Sequence, residues 1–397
     1  MKKRILAFIL SVSVLVTALI SCGIRFNYNR KDLQVMSYVL DRIKNNYYYD
    51  LTEEELIDAM NMGLMQLLDP YSYIRNPQQY ADYVSMMNGN NMGFGITVRE
   101  HEGRVMIVDL AGGSDAEISG LKIGDIITEV KDADSGEVAE ADSIDELFDF
   151  LRAFGKDKEA VFYVERNGAP QPGITVKKTE YVLKGCVYHD NTSDMYEGLD
   201  GGTAVFKLAT FTGNAGQLFA QSMQKYKNEG KTKLILDMRN NGGGSITVLT
   251  QIAEYLISDG NNKKLDILTY KDKSKKSYAF KTSNIYYNNY TFEKIAVLID
   301  EGSASATEAL VGAMLDYGTV TYDDIFGADS YGKGVMQDTY ICQIDSSTKY
   351  SVTLTVAEIF WPKSGISING KGIKVNAGNK SEDMFEQYRK ALDYISA

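Results

Sequence analysis

The spacing of apolar positions changes along the chain, and that change is the first sign of separate domains. Leu33, Met36, Leu40 and Ile43 fall three or four residues apart, as on one face of a helix. A second set, Leu56, Met60, Leu64 and Leu67, follows Thr52 and Glu55, a pair spaced to satisfy each other's free backbone N–H groups at a helix start. Both helices should end by Leu68-Asp69-Pro70-Tyr71-Ser72, because proline disfavours helical backbone in the residue before it. From Gly93 the pattern becomes short strands and glycine turns, at 93–98, 105–108 and 121–127, then a helical run at 144–154 and a strand at 160–165. Beyond Gly201, strands at 203–208, 233–238, 265–270 and 295–299 alternate with helical runs at 217–226, 246–257 and 309–317, which predicts an α/β core. The acidic-then-basic end, 381–395, predicts a terminal helix.

Composition narrows the partners. The 397 residues, 44% of them hydrophobic, suffice for two or three domains, at about 150 residues each. The formal charge of −11 has no basic face or nucleic-acid motif to offset it, so no nucleic-acid partner is expected. The basic cluster at 271–276 alternates with Asp and Ser and predicts a solvated loop or hairpin. At the N-terminus Lys2-Lys3-Arg4 precede an uncharged run at 5–20 and then Leu19-Ile20-Ser21-Cys22-Gly23. This resembles a bacterial lipoprotein signal peptide, and the run is shorter than the roughly 20 residues of a membrane span. The resemblance implies cleavage of residues 1–21, lipidation of Cys22 and anchoring to a membrane of the bacterial envelope. An uncleaved anchor and an ordinary signal peptide remain alternatives, and all three place the chain outside the cytoplasm. Cys186 and Cys342 are too few for a disulfide framework and lack metal-ligand spacing, so no metal site is expected.

Three stretches could carry chemistry. Gly302-Ser303-Ala304-Ser305-Ala306-Thr307-Glu308 joins a strand-like run to a helix-like one, where a side chain can stand clear beside unpaired N–H groups. Its hydroxyls could equally cap the helix. Residues 237–245, Asp-Met-Arg-Asn-Asn-Gly-Gly-Gly-Ser, also join a strand to a helix. Without the Lys-Ser/Thr of a nucleotide loop, they suit an oxyanion hole better than a phosphate. His101 and His189 sit beside no triad motif, so a base must come from elsewhere. Lys333, between two glycines in Ser330-Tyr331-Gly332-Lys333-Gly334-Val335-Met336-Gln337, is the candidate, with an ordinary surface lysine as the alternative. To serve near neutral pH its pKa must fall by roughly 3 units from about 10.4, a differential of about 4 kcal/mol that burial without a paired carboxylate can supply.

Together the motifs are specific. Gly93-Phe94-Gly95-Ile96, followed by Ala116-Glu117-Ile118-Ser119-Gly120-Leu121 and Gly124-Asp125-Ile126-Ile127, resembles a PDZ domain, whose glycine loop can nest a C-terminal carboxylate. With the glycine loop, the serine turn, Tyr-Gly-Lys-Gly-Val-Met-Gln, Leu354-Thr355-Val356-Ala357 and Gly370-Lys371-Gly372-Ile373, the chain resembles the carboxyl-terminal processing peptidases, or tail-specific proteases. The resemblance implies a multidomain α+β protein: leader 1–21, helical N-terminal domain 22–86, PDZ domain 87–181 as a small β-barrel with helices, α/β crotonase/ClpP-like catalytic core 182–380, and C-terminal helix 381–397. It also implies a serine endopeptidase cutting protein substrates near their C-termini, with Ser305 as nucleophile, Lys333 as base, Gln337 orienting the lysine, and an oxyanion hole from the N–H groups of Ala306 and Gly244. Protein C-terminal tails would be the partners, no cofactor is required, and a homo-oligomer is left open. A catalytically silent peptide-binding or structural envelope lipoprotein is the alternative. Gly242 replaces the family's usual proline, Thr307 its serine, and Lys374-Val375-Asn376 its Pro-Asp-Val, while Tyr322-Asp323-Asp324 is additional.

Overall fold

The computed structural model describes residues 30–189, 195–257, 264–282, 292–345 and 348–397. The leader and Cys22 lie outside them. The chain divides into two compact units, one up to Leu67 and one from Leu68. In the first, helices α1 (Lys31–Asn46) and α2 (Glu53–Met65) follow the predicted periodicity. Glu55 N–H donates to Thr52 Oγ1 at 3.1 Å and Thr52 N–H to Glu55 Oε2 at 2.7 Å, so the pairing read from their spacing forms.

The second unit opens with β1 (Tyr73–Arg75), α3 (Pro77–Met87) and β2 (Asn90–Gly93). Helix α3 was not foreseen, although Asn76, Pro77 and Gln79 are a cap, a first-turn proline and a capping-box partner. A seven-stranded antiparallel sheet follows, made of β3 (Ile96–His101), β4 (Arg104–Leu110), β5 (Ile126–Asp132), β6 (Val138–Glu140), β7 (Glu159–Arg166), β8 (Ala169–Pro170) and β9 (Ile174–Lys177). Helices α4 (Asp115–Ser119) and α5 (Ile144–Arg152) accompany it, and Phe94, Ile107, Leu147 and Phe162 are buried in its core. The strand expected over 121–127 begins only at Ile126. Before it, Gly124 takes φ +91° and buried Asp125 receives the Arg166 guanidinium through two bonds of 2.7 Å, which holds the segment as a turn. Strand β10 (Thr179–Val182) then pairs with β2.

The core sheet has the order β11 (Cys186–His189), β12 (Thr203–Leu208), β13 (Lys233–Asp237), β16 (Lys294–Ile299) and β17 (Ile325–Gly327), parallel except at β11. Its strands read as continuous apolar runs because both faces are covered. Phe206, Leu208, Leu234, Leu236, Val297 and Ile299 pack toward α6 (Ala215–Asn228), α7 (Ile246–Leu256) and α8 (Ala306–Tyr317). Val205, Ile235, Ala296 and Leu298 point the other way, as the two-residue period requires, onto Met106 and Val108 of β4 and the terminal helix α9 (Met384–Ser396). A second, antiparallel sheet joins β1, β14 (Asp266–Asp272), β15 (Ser277–Lys281), β18 (Val335–Gln343) and β19 (Lys349–Phe360). The basic cluster is the β14–β15 hairpin. Cys186 and Cys342 are both free thiols.

Candidate active site

Ser305 stands between β16 and α8 with φ +59° and ψ −113°. A non-glycine residue there carries strain of about 1–3 kcal/mol and persists only where its neighbours hold it. They do so through short bonds. Ser303 Oγ donates to Met238 O at 2.9 Å, Thr307 Oγ1 to Asn241 O at 2.8 Å, and Ala304 N–H to the same carbonyl at 3.0 Å. Ser303 and Thr307 are therefore rivets between the serine turn and the glycine loop. Ser305, at the elbow itself, lines the adjacent cleft.

The glycine loop is laced just as closely. Asn241 Nδ2 donates to Leu208 O at 2.7 Å, Gly243 N–H to Asn241 Oδ1 at 3.0 Å, and Phe211 N–H to Gly243 O at 3.0 Å. These bonds consume the Gly243 N–H. Among the described residues the N–H groups of Gly244 and Ala306 take no part in them, and both residues line the cleft. Gly243 was not singled out from sequence, yet it is constrained about as closely as Gly244, where a Cβ would lie 2.7 Å from Phe211 O. The Gly243 φ is +99°, and a Cβ there would lie 2.8 Å from Ala304 O and 2.9 Å from Ser305 Cβ. At Gly242 a Cβ would meet open space.

Lys333 arrives on a loop that runs hard against residues 368–372. A Cβ at Gly334 would lie 2.6 Å from Asn369 N, and one at Gly332 2.9 Å from Gly372 N, which is why glycine flanks the lysine. One buried carboxylate joins this loop to the nucleophile. Glu308 accepts Ser305 N–H at 2.9 Å, Ser330 Oγ–H at 2.5 Å, Gly332 N–H at 2.7 Å and Lys333 N–H at 2.9 Å. Burial raises its pKa against the pull of those donors.

Burial also holds the Lys333 pKa below the ordinary lysine value, with the nearby Asp69 and Glu308 charges opposing. The amine lies 4.9 Å from the centroid of the Tyr71 ring. Among the described residues it makes no hydrogen bond or ion pair, with Ser305 and Gln337 included. Gln337 Nε2 donates instead to Thr355 Oγ1 at 3.2 Å, which donates to Asp69 Oδ1 at 3.2 Å. Tyr71, hydrogen-bonded to Tyr331 and partly desolvated, has its pKa pushed up to about 12 and stays protonated beside the amine. The Asp69-Pro70-Tyr71 stretch thus borders the lysine, a role that sequence reasoning missed.

The cleft, about 670 Å³, gathers Ser305, Ala306, Gly244, Lys333 and Gln337. Neither histidine lines it. The Gly93-Phe94-Gly95-Ile96 loop lies elsewhere: Phe94 is buried in the core of the smaller domain, while Gly95 and Ile96 border a separate cavity of about 320 Å³ beside Lys184 and Lys207. Residues 202–377, which carry this cleft except for its wall from Tyr71 to Asn91 and Leu183, match the model of peptidase family S41. Over these residues the chain is similar to that family. A similar protein is a probable CtpA-like serine protease of Staphylococcus aureus (strain bovine RF122 / ET3-1), 26% identical over 378 residues, which cover 92% of this chain and 70% of that one. The chain also shares its fold with the photosystem II D1 C-terminal processing protease, at a TM-score of 0.54 and 20% identity over 91% of both chains. A putative S41 protease from Bacteroides fragilis NCTC 9343 superposes at a TM-score of 0.56, with 14% identity over 88% of this chain and 91% of that one.

Proposed function

We propose that the protein is an exported endopeptidase that cuts protein substrates near their C-termini through a Ser-Lys centre. Ser305 Oγ attacks the scissile carbonyl, Lys333 Nζ takes its proton, and the N–H groups of Ala306 and Gly244 receive the oxyanion. The protonated lysine then passes its proton to the leaving amine, and water resolves the acyl-enzyme. The observation that carries this reading is Ser305 in a strained elbow beside two unspent N–H groups, in one cleft with a desolvated, unpaired lysine. Engagement requires the Lys333 side chain to swing from the Tyr71 ring to Ser305, a rotamer change on the ps–ns scale. Gln337, at the start of β18, is within the same wall to orient the amine once it turns.

The antiparallel domain supports a PDZ role in presenting tails, since β3 is an edge strand open to an extended peptide. Export and lipidation of Cys22 rest on the leader sequence, and mass spectrometry of the mature N-terminus tests them. For the chemistry, Lys333→Ala should abolish cleavage of an unstructured peptide and Gln337→Ala should lower kcat by about 10–100-fold, with melting temperatures near that of the parent. Undiminished turnover in purified Lys333→Ala would remove lysine from the mechanism.

A further inference from the structure

The residues lining the catalytic cleft include two cations, Arg75 and Lys333, and no carboxylate, in a chain whose formal charge is −11. A base works only while neutral, so Arg75 is the lasting charge among the described lining residues. Its place is built. Strand β1 pairs with β19, Tyr73 opposite Thr353 and Arg75 opposite Ser351, so Tyr73 and Arg75 share one face of the sheet. The guanidinium carbon lies 4.2 Å from the Tyr83 ring centroid and 5.2 Å from that of Tyr73, and Nη1 donates to Thr353 Oγ1 at 2.7 Å. Among the described residues it forms no ion pair, which leaves most of its five donors available.

Arg75 also lines a second cleft, of about 1130 Å³, which shares Tyr83, Met86 and Asn91 with the first. It therefore stands where the two meet. The carboxylates of that outer cleft are engaged elsewhere: Gln78 Nε2 donates to Asp82 at 2.9 Å, and Lys156 pairs with Glu180 at 3.0 Å. Distance along the sheet sets the register. Thr353 faces Thr339 and Thr355 faces Gln337, so the hydroxyl that Arg75 binds is one same-face step from the Gln337 row. That step is about 7 Å, or two residues of extended peptide.

We propose that Arg75 forms a carboxylate-binding subsite of the catalytic cleft, taking a carboxylate that the substrate carries within a few residues of the cleaved bond. Two sources share this chemistry, the terminal carboxylate of a short tail and an Asp or Glu side chain. A planar fork between aromatic faces suits a carboxylate bound through two hydrogen bonds. The inference rests on the peptidase reading, so its test separates binding from turnover.

Full-length Ser305→Ala protein is titrated with a peptide in four forms, as C-terminal acid or amide, each with one internal Glu or Gln. In the Arg75 background the favoured carboxylate should bind about tenfold more tightly or better than its neutral counterpart. Arg75→Gln should reduce that ratio to about one, and Arg75→Lys should retain part of it. Loss of the acid–amide ratio identifies a terminal carboxylate, and loss of the Glu–Gln ratio identifies a side chain. Arg75→Met keeps the aliphatic stem between the two rings, and serves should the Gln variant unfold. Ratios near one in the Arg75 protein, or a preference that survives in Arg75→Gln and Arg75→Met, would overturn the proposal. Cleavage by the Ser305 protein is measured in parallel, so a failure of turnover counts against the peptidase reading alone.

Discussion

Among single residues, the charge of Lys333 decides whether the proposed chemistry can run. Burial favours its neutral form, whereas the Asp69 and Glu308 charges favour the ammonium and so raise its pKa. A base must be neutral, so kcat/KM should rise with pH through the Lys333 pKa, with the acid limb below the ordinary lysine value. Asp69→Asn removes one charge that stabilises the ammonium, and should therefore move that limb to lower pH. A pH–rate profile unchanged by this substitution would separate Asp69 from the base. A second contrast lies in the glycine loop. Gly243→Ala places a methyl against Ser305 and Ala304 and should lose activity by at least about 100-fold, because the elbow and the donors beside it must move. Gly242→Ala meets open space and should leave kcat within about twofold while stabilising the fold by about 0.4–1 kcal/mol, read from denaturant midpoints.

At the scale of elements the site depends on how the serine turn is fastened. Thr307 fastens the turn through its hydroxyl, and a serine there could equally donate to Asn241 O. Thr307→Ser should leave turnover near the parent's, whereas Thr307→Val should cost about 1–2 kcal/mol of stability and slow cleavage, as steady-state kinetics and urea unfolding would show. The elements themselves were legible to different degrees. Buried strands such as β13 and β16 announced themselves as apolar runs, and the turn after β16 by its small residues. Helix α3 was signposted by Asn76, Pro77 and Gln79 but lay beyond the proline taken as the end of the helical region. The run at 121–127 has the apolar content of a strand; the group that makes its first part a turn is Asp125, whose partner Arg166 is 41 residues away. Likewise no spacing pattern connects Asp69 or Tyr71 to Lys333, more than 260 residues later. Such contacts follow from the pairing of β1 with β19, which local pattern does not reveal.

Across the second unit, the smaller β domain and the core are joined by packing and by charge. Arg99 of β3 donates to Asp300 at 2.6 Å and to Asn240 at 2.8 Å, and Lys207 of β12 lies 3.5 Å from Asp109 of β4. Asp300 in turn accepts the N–H groups of Asn240 and Gly302 at 2.8 and 3.0 Å, so a strand of the smaller domain touches the frame of the serine turn directly. Two segments expected from the sequence to depart from the resembled pattern meet as well: Asn376 Nδ2 donates to Asp323 at 2.8 Å, tying the 322–324 turn to the 374–376 segment. Sequence could flag each departure but not their contact. The proposed function rests on cleavage of protein tails by Ser305. Incubation of a folded protein bearing an unstructured C-terminal tail with the parent enzyme and with Ser305→Ala, followed by intact-mass analysis, tests it most directly. The parent should yield a discrete species shortened near the C-terminus and Ser305→Ala none, whereas the same shortened species from both would contradict the account.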